Sequence, residues 1–91
     1  MISFAVYLRD QRIGELHADL VPARRIATGY FDAEPGIDPV EIEAGLVEIR
    51  SLDGELSAKN VWLKLTQERG VFEADAEIRS EAFWIAAAGR T

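Results

Sequence analysis

The chain has 91 residues, no cysteine, and 16 acids against 10 bases, for a formal net charge of −6. That length holds one hydrophobic core and therefore one domain, 1–91, and the missing cysteine excludes disulfides, thiolate metal sites and cysteine nucleophiles together. An isoelectric point near 4.7 excludes the sequence-independent nucleic-acid binding that depends on lysine and arginine at phosphates.

From the N-terminus, Ile2, Phe4, Val6 and Leu8 alternate with Ser3, Ala5, Tyr7 and Arg9, the period of two that marks a half-buried strand. Arg9-Asp10-Gln11-Arg12 supplies a turn. The return strand places Leu16, Ala18 and Leu20 inward only if Gly14 marks a bulge, and Pro22 ends it. Residues 24–31 read as a third, weaker strand because Gly29 interrupts it. Residues 32–39 (Asp-Ala-Glu-Pro-Gly-Ile-Asp-Pro) form a loop.

The segment 39–49 supports two readings. Asp38, Pro39 and Glu41 suit a helix start, whereas Val40, Ile42 and Ala44 alternate with Glu41 and Glu43 as in a strand that resumes at Val47 and Ile49 after Gly45. Asp53-Gly54 is a tight-turn dipeptide. The clearest alternation lies at 59–79. Val61, Leu63 and Leu65 share one face of a first strand, and Phe72, Ala74, Ala76 and Ile78 one face of a second. A four-residue loop, Gln67-Glu68-Arg69-Gly70, would pair Leu65 with Phe72, Leu63 with Ala74 and Lys64 with Glu73. Phe83, Trp84, Ile85 and Ala86–Ala88 are apolar on all sides, as in a buried strand or a short terminal helix. The expected fold is mainly β: a small antiparallel meander closing toward a barrel or sandwich, with at most one short helix, near 39–49 or at the C-terminus.

Chemistry is sparse. His17 is the single histidine and the one group that titrates near neutrality unaided, but it falls on a polar strand face between Glu15 and Asp19, where a solvated role is expected. The serines sit in no nucleophile or phosphate-loop pattern. Asp32, Glu34, Asp38 and Glu43 match positions one, three, seven and twelve of a calcium loop, yet Ile37 stands where that loop needs glycine. The sequence therefore predicts no enzyme, no cofactor and no metal site.

The informative feature is charge placement. Half of the acids, Asp32, Glu34, Asp38, Glu41, Glu43, Glu48, Asp53 and Glu55, fall between 32 and 55, where Arg50 is the one base. One reading is a solvated edge that resists sheet-to-sheet pairing. The sharper reading is a docking belt through Asp32, Glu34, Asp38, Glu41, Glu43 and Glu48 for a protein with a basic surface, such as a nucleic-acid-binding cleft. Trp62 falls on the outer face of its strand, where it is either covered by the C-terminal segment or serves as a contact anchor. The expected function is a non-catalytic protein-interaction module, an acidic inhibitor or adaptor. A structural subunit using strand edges is the alternative, with self-association included, and a minor enzyme is the third. Arg9 and Asp10 interrupt the early apolar run, and no apolar stretch reaches the ~20 residues needed to cross a bilayer. A cytoplasmic protein without membrane contact is the expectation.

Overall fold

Strands form where the period-two pattern is cleanest, and they close on one another. The computed structural model describes residues 1–38, 42, 46–68 and 71–90. It contains strands β1 (Ile2–Leu8), β2 (Gln11–Val21), β3 (Ile26–Ala33), β4 (Leu46–Ser51), β5 (Ser57–Glu68) and β6 (Val71–Glu77), and a terminal helix α1 (Glu81–Ala88). Around the closed antiparallel barrel the order is β1-β2-β3-β6-β5-β4, with β4 returning to β1 through Phe4–Tyr7. The fold is thus mainly β, closing as a barrel, one of the two closures the sequence predicts, with a short helix at the C-terminus.

The inward positions are the expected ones. Phe4, Val6, Leu16, Ile49, Leu63 and Ile78 are all fully buried. Small residues line one wall, where Ala18 on β2 faces Gly29 on β3, which faces Ala74 on β6. The space this wall leaves is filled from the other side by large rings, as a narrow barrel requires. Phe83 of α1 lies 6.1 Å from Phe4, ring centre to ring centre, and meets Trp84 edge-on at 5.0 Å. Helix α1 is the plug at this end. Ser80 caps it by accepting from the Phe83 N–H at 3.1 Å, and the buried Trp84 indole donates to the Ile78 carbonyl at 2.7 Å. Removing the Phe83 ring is worth about 3–5 kcal/mol by analogy with other core aromatics.

Gly29 has a steric reason to be glycine. A Cβ there would lie 1.9 Å from the His17 carbonyl oxygen, so the close approach of β2 and β3 admits no side chain. The β1–β2 turn needs only Arg9 and Asp10, both with positive φ (50° and 65°), as in a type I′ turn. The expected bulge exists. Its extra residue is the buried Ile13, since Val6 pairs with Gly14 and Tyr7 with Arg12.

Several expectations shift. β3 starts two residues late, because Pro22–Arg24 coil into a 3₁₀ turn that ends on Arg25 in the left-handed region. Gln67 and Glu68 belong to β5 rather than to a loop. They pair with Phe72 and Val71, so Leu65 meets Ala74, Leu63 meets Ala76 and Lys64 meets Asp75. The hairpin register is therefore displaced by two residues from the predicted one. A displacement by an even number keeps every side chain on its own face, so the apolar alternation fits both registers equally. The strand-or-helix alternatives for 39–45 lie outside the described residues except at Ile42, which is helical and buried. β4 then carries Val47 and Ile49 inward as expected.

Candidate interaction surface

Among the described residues, the barrel places Asp32, Glu34 and Asp38 apart from Asp53 and Glu55. Asp32, near the end of β3, approaches His17 Nε2 at 3.3 Å. Glu34 pairs with Arg12 at 3.4 Å, and Asp38 is exposed beyond them. Glu48 on β4 lies opposite Tyr7, near the β1–β2 turn, held by Arg50, whose guanidinium also lies 4.6 Å above the Tyr7 ring. Hydrogen bonding to Glu48 pushes Arg50 above its ordinary pKa. Asp53 and Glu55 lie at the opposite end, sharing Arg90 at 3.0 and 3.2 Å. Glu41 and Glu43 lie outside the described residues. The arginines that meet these acids come mostly from distant parts of the chain, which a count along the sequence does not register.

The turn holding Asp53 is tightly bonded. Ser51 Oγ donates to Asp53 at 2.6 Å and accepts from the Leu56 N–H at 2.9 Å, while the Glu55 N–H reaches the same carboxylate at 3.0 Å. These bonds, the Ser51 hydroxyl first, and Arg90 after them hold the Asp53 carboxyl at about 2, below its ordinary 3.8. Gly54, at φ +80°, supplies the left-handed residue that Asp53-Gly54 foretells.

His17 is not simply solvated. Its Nδ1 is 2.8 Å from Ser3 Oγ, its Nε2 faces Glu15 at 3.4 Å as well as Asp32, and its ring stacks on Tyr30 at 4.9 Å. The side chain is 18% exposed. One histidine thus ties together the outer faces of β1, β2 and β3. Histidine, serine and carboxylate are adjacent here, on the outer face of the sheet. Among the described residues no cluster of histidine and carboxylates is arranged to hold a metal.

The opposite side differs. Trp62 on β5 is 48% exposed, and its cross-strand neighbour Leu46 on β4 is equally so. The C-terminal segment does not cover Trp62, because α1 turns inward to plug the barrel. The two residues border an open groove of about 720 Å³ that also contacts Lys59, Asn60, Arg79 and Ser80. Among the described residues its lining holds two cations, Lys59 and Arg79, and no carboxylate, although Arg79 pairs with the neighbouring Glu77 at 3.1 Å. Arg79 also lines a second groove, with Arg24, Arg25 and Lys64 around Asp75 and Glu77. Asn60 adopts φ +56° at a bulge where Lys59 and Asn60 together oppose Glu48. Of this surface the sequence flags Trp62 alone. Leu46, Lys59 and Arg79 lie far apart in the chain, and only the pairing assembles them.

Fold and surface together define a six-stranded antiparallel barrel with one end plugged and one outer face left apolar and cationic. The sequence matches no protein-family model, and neither curated proteins nor solved structures give a match. No helix among the described residues is long and apolar enough to cross a membrane.

Proposed function

We propose that this protein is a non-catalytic interaction module that docks a partner protein on the Trp62–Leu46 face of its barrel. The carrying observation is the half-exposed tryptophan beside a half-exposed leucine on a groove whose described lining includes no carboxylate. Exposed aromatics at the centre of an apolar patch with a polar rim are the usual anchors of binding energy. An adaptor or inhibitor acting by occupancy needs nothing further, and a cysteine-free chain suits the reducing cytoplasm.

Trp62→Ala should weaken partner binding by about 2 kcal/mol, roughly 30-fold, while changing stability by less than about 1 kcal/mol. Isothermal titration and thermal melting measure the two effects. Unchanged affinity would remove the proposal.

A second reading keeps the acids as the docking element for a basic partner. It is favoured by the exposure of Asp32, 69% at the side chain, with Glu34 and Asp38 beyond it. Charge reversal at Asp32 and Glu34 separates the two readings. It leaves affinity intact if Trp62 is the anchor, and it slows association severalfold if the acids are.

A further inference from the structure

The groove beside Trp62 is bordered by strand backbone. β5 runs from Ser57 to Glu68, but β6 pairs with it only from Trp62 onward, Trp62 facing Glu77. Residues 57–61 pair with β4 on one side, and among the described residues no strand pairs with them on the other. The chain leaves the sheet at Ile78, whose N–H goes to the Arg25 carbonyl at 3.0 Å and whose carbonyl takes the Trp84 indole at 2.7 Å. β6 ends at Glu77, one residue before Ile78, and Arg79 and Ser80 form the far wall of the groove.

We infer that this edge accepts an extended acidic segment of the partner as an added strand, antiparallel or parallel to Ser57–Val61, with an apolar side chain against Trp62 and Leu46. The inference rests on the proposed docking face and adds to it the chemistry of the ligand. Open strand edges recognise extended peptides through backbone hydrogen bonds, and side-chain pockets supply selectivity. Five residues of edge correspond to about 17 Å of peptide. The groove carries Lys59 and Arg79, and Arg24 and Lys64 lie in the adjoining groove. Lys59, Lys64 and Arg24 form no ion pair among the described residues, whereas Arg79 pairs with Glu77 at 3.1 Å and would share its guanidinium with the ligand. A charged, bulged edge repels flat apolar strands. A strand bearing carboxylates is the kind that these cations attract, so the device that deters aggregation also selects the ligand.

The test uses the full chain and synthetic eight-residue peptides with Asp or Glu alternating around a central Leu or Phe, compared with peptides carrying Lys at the acidic positions. Acidic peptides should bind saturably, shift the Trp62 indole resonance and slow hydrogen exchange of amides within 57–61. Lys59→Glu combined with Arg79→Glu should weaken them at least tenfold, as should N-methylation of alternate peptide amides on one register. Equal binding of acidic and basic peptides, or indifference to N-methylation, would overturn strand addition while leaving Trp62 as the docking anchor. No binding by any peptide would overturn it as well, and the Trp62→Ala titration with the natural partner would then judge the docking face separately.

Discussion

The two outer faces of the barrel contrast in how far their side chains cover one another. Across β1, β2 and β3, Ser3, Glu15, His17, Tyr30 and Asp32 form one connected set around a single imidazole, and Arg12 joins Glu15 to Glu34. Across β4 and β5, Trp62 and Leu46 face solvent and Lys59 has no ionic partner among the described residues. Both faces carry polar and aromatic residues, so composition does not separate them. What differs is exposure: the pairs Glu48–Arg50 and Glu77–Arg79 flank Trp62 and Leu46 but leave both about half exposed, and a half-exposed aromatic is the kind of side chain that anchors an external ligand.

The contrast breaks most completely at Gly29. Gly29→Ala places a methyl group where the His17 carbonyl lies, which the β2–β3 ladder cannot absorb without opening. A loss of about 3 kcal/mol is expected, and thermal melting should show a fall of more than about 10 °C for a domain of this size. A smaller effect belongs to His17 itself. His17→Ala should cost about 1 kcal/mol through the lost Ser3 bond and Tyr30 stacking, with partner affinity unchanged. A loss of affinity there would blur the distinction between the faces.

The same comparison shows what was legible in the residues. Period-two alternation located most strands and their buried faces, because burial acts on each residue separately. It could not choose between hairpin registers two residues apart, since both bury Leu63, Leu65, Ala74 and Ala76. That displacement matters for function. Pairing Glu77 with Trp62 rather than with Asn60 leaves residues 57–61 unpaired toward β6 instead of three residues only. The described acids of the belt are split between distant parts of the barrel for a related reason. Arg12 and Arg90 reach Glu34, Asp53 and Glu55 through the closed barrel, a proximity absent from linear spacing. Trp62 was legible because a large aromatic at an outward strand position stands out without knowledge of its neighbours.

Two finer tests sharpen the account. The β1–β2 turn holds Arg9 and Asp10 at positive φ, so replacing the pair with Asn-Gly should stabilise the domain by about 0.5 kcal/mol without touching either face; denaturant titration can resolve it. At the β4–β5 turn, Asp53 is held at about 2 against an ordinary 3.8. Because the folded value is the lower, this carboxylate contributes stability above pH ~4, and the contribution fades as pH falls through that window toward 2. Asp53→Asn should flatten that part of the acid-stability curve, with guanidinium melts between pH 2 and 5 as the readout.

The most direct measurement places a photo-crosslinking amino acid at position 62 or at position 30 in the living host and compares the adducts. A discrete, ultraviolet-dependent partner adduct is expected from position 62 and none from position 30, where Tyr30 lies against His17. Adducts from position 30 alone, or from both positions alike, would contradict docking at Trp62.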